Sequence, residues 1–291
     1  MMLPALADLQ GSAHVVFVGR RPGLPFLVGH IADALDFELS GWHGLFSATT
    51  PDIRAAVSPP DVVAAFMADR EGRVRRNLAR LYPRAGVCLF PSLPDDGRAG
   101  HVARYMAECL VEAGLPVDPD RVMTRCRETP LLARGSSPKG REKLVLHPGS
   151  GSVSKNHPVE FWFALLKRLL KEQDFSHLES WVLVGPAEID SLPTWESEFQ
   201  GRDVRFMVRP DHAGLGEIME TAALYVGHDS GISHLAAMFG VPTVALFKSS
   251  RPDRWRPLGP FVRVISSREA DAGLEKKIMD AGQALLSRAH P

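Results

Sequence analysis

The chain has 291 residues, enough for two domains, and its 45% hydrophobic and 23% charged content supplies ample core material. Thirty-four basic residues balance thirty-four acidic ones, which excludes a general nucleic-acid binder. Cys88, Cys109 and Cys126 have no metal-ligand spacing and leave one thiol unpaired, so a reducing, cytoplasmic setting fits; no apolar run approaches a membrane span or a signal peptide. Along the chain, Met1 to Gln10 reads as a helix end with Leu3, Leu6 and Leu9 on one face, and His14 to Val18 as a strand. Phe26 to Leu35 reads as a short helix, Trp42 to Phe46 as a weak strand and Val62 to Met67 as an apolar run. Glu71 to Tyr82 is a basic helix, Val87 to Phe90 a strand, and Val102 to Ala113 an amphipathic helix. Arg127 to Lys143, rich in Pro, Gly and Ser, is the linker expected between domains. Strands follow at Leu144 to Leu146, Trp181 to Val184, Val204 to Val208, Leu224 to Val226, Thr243 to Phe247 and Phe261 to Ile265. Helices are expected from Pro158, over Leu215 to Ala222, after Gly231, and over Ala270 to Ser287. Strands alternating with helices imply parallel sheets in both halves.

Two strand-to-helix turns in the second half carry chemistry. Leu144 to Leu146 runs into His147-Pro148-Gly149-Ser150-Gly151-Ser152, where glycines let backbone approach an anion and serines add donors. Lys155 follows with a full positive charge for a diphosphate. Leu224 to Val226 runs into Asp229-Ser230-Gly231, where Asp229 or Ser230 caps a helix whose free N–H groups favour a phosphate. Ser230 and His234, four apart, share a helix face and can donate to a phosphate or a sugar hydroxyl; Asp229 repels phosphate and suits a cap or sugar hydroxyls. The glycines partly match a dinucleotide fingerprint, but Ser154 stands at its third glycine. The second strand ends in Gly185-Pro186 rather than in an acid for a ribose. A tight turn with a solvated lysine and a capped helix with a surface histidine are the plainer alternatives.

These residues closely resemble bacterial glycosyltransferase family 9, the lipopolysaccharide heptosyltransferases. The match runs through His147 to Gly151, Lys155-Asn156-His157-Pro158 with Phe161, Val184 to Glu188, Asp229-Ser230-Gly231 through Ala237, and Gly240 through Phe247. It is looser in the first half, at Leu3 to Leu6 and Gly72 to Arg84 with His101 and Tyr105. The resemblance implies an α/β fold of GT-B type, two Rossmann-like domains with parallel sheets facing a cleft. These would be an acceptor-side domain over residues 1–135, a nucleotide-sugar domain over 136–270, and a last helix over 271–291 crossing back to the first domain. It implies an inverting enzyme without a bound metal or cofactor, moving heptose from ADP-heptose to the lipid A inner core at the inner membrane face, as a cytoplasmic monomer peripheral to that membrane.

By the same resemblance Ser150, Gly151, Ser152 and Lys155 take the diphosphate, and Asp229, Ser230, Gly231 and His234 form the donor turn. Lys248 stands where the family continues with Gly, and either adds a phosphate contact or blocks one. Arg73 and Arg76 with Arg75 and Arg80 steer an anionic acceptor or form a solvated face, and His101 lines the cleft or packs in the core. The family's general-base Asp, in a Gly-Asp turn after a first strand about six residues before the proline matched by Pro4, is expected ahead of Met1, in an upstream start. The first domain is then expected to lack that strand, leaving an open apolar edge and slow transfer. Asp118-Pro119-Asp120 reads as a plain turn despite its metal-like spacing, and His30, His212 and His228 as surface or loop residues. A non-catalytic nucleotide-sugar-binding protein and an NAD-dependent oxidoreductase are the competing readings.

Overall fold

The structure, a computed structural model, describes residues 1–51, 53, 57–132, 142–186 and 188–289. Two compact units emerge, Met1–Thr124 and Arg125–Pro291. Most of the expected linker, from residue 133 to 141, lies outside the described residues. Among the described residues no helix is long and apolar enough to cross a membrane, and Cys88, Cys109 and Cys126 are free thiols.

The first unit holds helices α1 (Leu3–Leu9), α2 (Arg73–Leu81) and α3 (Val102–Glu112), and α4 (Pro119–Glu128) begins in it. Its strands β1 (Val16–Gly19), β2 (Asp33–Asp36), β3 (Val62–Phe66) and β4 (Gly86–Phe90) form two separate parallel pairs, β1 with β2 and β3 with β4. Both pairs feed the same packing. Val18 and Val63 pack against a core of Trp42, Leu45, Val74 and Leu78, while Val15, Ala64 and Phe66 pack against Ala5, Leu9, Ala107 and Leu110. Among the described residues no ladder joins β1 to β3, so each pair keeps an open edge.

Three local readings change in this unit. The helix expected over Phe26 to Leu35 is a 3-10 turn over Leu24–Leu27 followed by β2. Gly29, at φ +90°, breaks the run, and pairing with β1 then decides the conformation. Trp42–Phe46 is a 3-10 turn rather than a strand; it opens on left-handed Gly41 and buries Trp42 and Leu45, three residues apart on one side. Asp118 does not sit in a plain turn but starts α4, its Oδ1 accepting from the N–H groups of Asp120 and Arg121.

The second unit is one six-stranded parallel sheet. Its strands are β5 (Lys143–His147), β6 (Glu179–Val184), β7 (Val204–Val208), β8 (Ala222–His228), β9 (Thr243–Phe247) and β10 (Val262–Ser266). The spatial order is β10-β9-β8-β5-β6-β7, which is the 3-2-1-4-5-6 order of a dinucleotide-binding fold read from its other edge. Such a sheet reverses direction between its first and fourth strands, here β5 and β8, and ligands bind at their carboxyl ends. Helices α5 (Val159–Leu169), α6 (Leu192–Glu198), α7 (His212–Thr221), α8 (Gly231–Met238), α9 (Pro252–Trp255) and α10 (Ala272–Ala289) complete the unit. Helix α6 had no clear periodicity; Trp195 anchors it edge-on to Phe163 at 4.7 Å. Leu274, Ile278 and Leu285 of α10 are buried in the core of this same unit, with Leu144, Leu146, Leu224 and Val226.

Candidate functional site

The two turns singled out in the sequence are the loops at the switch point. Strand β5 is buried from Leu144 to His147 and β8 along its whole length, so both must emerge at the sheet's edge before their chains turn. Ser230 caps α8, its hydroxyl accepting from the Ser233 N–H at 3.4 Å. As at any helix start, the first N–H groups of α8 have no partner within the helix. A Cβ at Gly151 or Gly231 would meet nothing within 4 Å, so a ligand can approach the backbone at both positions.

Lys155 and Asp229 face each other across these loops. The Lys155 ammonium lies 2.7 Å from Asp229 Oδ2, joining the β5 loop to the β8 loop. Asp229 is buried at 6% exposure, whereas the Lys155 side chain remains 34% exposed. Asp229 is therefore an ion-pair partner rather than the helix cap. Lys248, after β9, donates to the Asn156 carbonyl at 2.8 Å, so it braces the same loop.

Ser150 departs from its expected role. Its hydroxyl is buried and has a single proton to share between Asn156 Oδ1 at 2.6 Å and the Ser152 carbonyl at 2.9 Å. It shapes the loop from inside, while Gly151 and Ser152 are exposed at its surface. His234 is half-buried on the first turns of α8, with its N–H directed to the Ser230 carbonyl at 3.3 Å.

Three residues beneath the loops, His228, His147 and Glu188, were given no site role by the sequence. His228 is not a surface residue but completely buried at the end of β8. Its Nδ1 lies 2.8 Å from the Pro148 carbonyl and its Nε2 accepts from the His157 N–H at 2.9 Å. Burial, with the neighbouring His157 adding to it, pushes the His228 pKa down to about 3, and burial takes His147 down to about 4. Glu188 is the third. It follows β6 by a few residues and turns back so that its Oε2 accepts from the Gly185 N–H at 3.0 Å. A Cβ on Gly149 would lie 1.9 Å from its carboxyl carbon, so Gly149 is glycine because that carboxylate lies on it. Burial raises the Glu188 pKa above the ordinary carboxylate range. An acid therefore does stand close to the end of β6, at Glu188. Gly149 and Gly185, both crowded by that carboxylate, were the available clue.

The candidates from the first half lie in the first unit. Arg73 and Arg76 are exposed on α2, and Arg73 lies 2.5 Å from Glu71. His101 is buried and caps α3, its Nδ1 accepting from the Ala103 N–H at 3.1 Å. A ring held in that way is part of the helix start rather than a surface for an acceptor. Among the described residues no cluster of His, Cys, Asp and Glu could hold a metal ion.

The model of glycosyltransferase family 9 (heptosyltransferase) matches residues 92–283. A "putative glycosyltransferase" of Haemophilus influenzae is 26% identical over 155 residues, a match spanning 50% of this chain and 43% of that protein. The fold is that of solved heptosyltransferases. The E. coli heptosyltransferase WaaC with ADP superposes with a TM-score of 0.65 at 17% identity, covering 97% of this chain and 95% of that one. The E. coli ADP-heptose lipopolysaccharide heptosyltransferase II gives 0.69 at 15% identity, covering 100% and 94%. A family 9 glycosyl transferase from Veillonella parvula gives 0.68 at 16% identity, covering 99% and 93%.

Proposed function

The chain belongs to glycosyltransferase family 9, and we propose that it transfers a sugar from a nucleotide diphosphate donor held by the second unit. The observation that carries this reading is the Lys155–Asp229 pair at the switch point. It brings one cation and one carboxylate together where a donor's diphosphate meets its sugar. Lys155 offers charge to the diphosphate, supported by the exposed backbone at Gly151 and the start of α8. Asp229 and Ser230 accept from and donate to sugar hydroxyls. Glu188, beside Gly149, accepts from ribose hydroxyls, the role an acid at the end of a neighbouring strand plays in folds of this order. Lysine and backbone N–H groups meet the diphosphate charge in this scheme, which needs no bound metal.

The donor we favour is ADP-heptose, because one similar fold is that of an enzyme solved with ADP and another is an ADP-heptose enzyme. The acceptor is the lipopolysaccharide inner core, with the exposed arginines of α2 drawing in its anionic groups. The enzyme acts as a cytoplasmic monomer against the inner face of the membrane. Titration calorimetry with ADP, UDP, GDP and NAD tests the donor site. ADP binding at least tenfold tighter than NAD is expected, and NAD binding equal to ADP would overturn the reading. Transfer from ADP-heptose to heptose-free lipopolysaccharide, followed by mass spectrometry, tests the reaction; binding without any transfer would leave a nucleotide-sugar-binding protein.

A further inference from the structure

We infer that His228 is a positioning residue of the donor site, whose ring ties together the two ends of the loop between Pro148 and His157. This rests on the reading of that loop as the one that holds the nucleotide diphosphate. Strand β8 is otherwise apolar from Ala222 to Gly227 apart from the Tyr225 hydroxyl, and a wholly buried imidazole at its end is costly unless both nitrogens are bonded. Both are. The Pro148 carbonyl can only accept, so Nδ1 carries the proton; Nε2 then holds a lone pair, which takes the His157 N–H. One neutral tautomer satisfies the two contacts, and protonation would set an Nε2–H against an N–H.

The contacts sit at the two roots of the loop. Between them lie Gly149, Gly151, Ser152 and Lys155, the groups that face the donor. The same residue reaches the other loop as well: its carbonyl accepts from the Ser233 hydroxyl of α8, and its chain neighbour Asp229 holds Lys155. Trp162 lies edge-on to the imidazole at 5.0 Å and the His157 ring is 5.3 Å away, so the ring plane is fixed by packing. The titratable groups around it are His147 from β5, His157 from the loop and Lys248 after β9, and all three oppose a positive charge on His228. The bridge therefore stays neutral well below the pH at which an ordinary histidine takes up its proton. Losing it would let the loop roots separate and would shift the donor N–H groups, which affects donor binding more than any later step.

The probe is ADP, and the variants are H228L and H228F, which remove both hydrogen bonds while H228F keeps a ring against Trp162. H228Q can restore one donor and one acceptor. I278V, a small loss in the core of the same unit, controls for stability alone. Each apolar variant that folds should bind ADP roughly tenfold more weakly, the effect of about one or two lost hydrogen bonds. Its His157 amide should exchange with solvent faster by at least the same factor. H228Q should recover part of both, and I278V should bind as the unaltered chain does. With an active donor and acceptor, KM for the donor should rise about tenfold while kcat stays within about twofold. ADP affinity and amide exchange unchanged in the apolar variants would overturn the inference, as would an equal loss of affinity in I278V. If the unaltered chain takes up no ADP, the nucleotide reading falls, and amide exchange alone decides His228: faster exchange at His157 supports the bridge, unchanged exchange removes it.

Discussion

Acidification from pH 7.5 to pH 5.5 should destabilise the second unit well before its carboxylates protonate. His147 and His228 are held neutral by burial, with pKa values pushed from the ordinary 6.5 to about 4 and about 3. In the unfolded chain both return to their ordinary value and take up protons as the pH falls through it. The unfolded state then binds more protons than the folded one, so stability falls with pH from about 6.5 down to the folded values. At pH 5.5 both groups are one unit below the ordinary value and still neutral in the fold. Each costs about 1.4 kcal/mol, roughly 3 kcal/mol together. His157 shifts in the same direction through burial and adds to the loss, whereas Glu188, shifted upward by burial, opposes it. Urea unfolding followed by the fluorescence of Trp162 and Trp195, both buried in this unit, reads the effect. With a typical slope of about 2 kcal/mol/M, the midpoint should fall by about 1.5 M between the two pH values. The His147→Gln/His228→Gln double variant should lose most of that dependence. A midpoint that does not move with pH, or that moves equally in the double variant, would refute the assignment of the acid lability to these two rings.

Lys155→Ala should weaken ADP binding by roughly 10- to 150-fold, the loss of one charge-assisted contact of about 1.5–3 kcal/mol; unchanged affinity by calorimetry would remove Lys155 from the site. Gly149→Ala should drive Glu188 off its bond to the Gly185 N–H, because the new methyl group falls on its carboxyl carbon. A combined loss of about 1–3 kcal/mol of stability and of ADP affinity is expected, and wild-type behaviour in both would show that Glu188 is free to move.

Local chemistry was enough to show that the second half alternates strand and helix, because the runs ending at Leu146, Val184, Val208 and Phe247 are short, apolar and closed by turn residues. It also picked out the two switch-point loops, since glycine, serine and a helix start are recognisable at short range. The same reasoning failed between Pro25 and Phe46. There Leu35 and Trp42 take their conformation from β1 and from the core they enter, not from their neighbours in sequence. Only the tertiary structure decided the partners of the site's charged and polar groups. Lys155 and Asp229 are 74 residues apart in sequence and 2.7 Å apart in space. His228 meets Pro148 across 80 residues, and only burial at the end of β8 turns a histidine that reads as a loop residue into a neutral bridge. Glu188 reaches Gly149 only because β5 and β6 are neighbours in the sheet. A residue type and its spacing set what a side chain can do; strand order and burial set which partner it meets and which charge it carries.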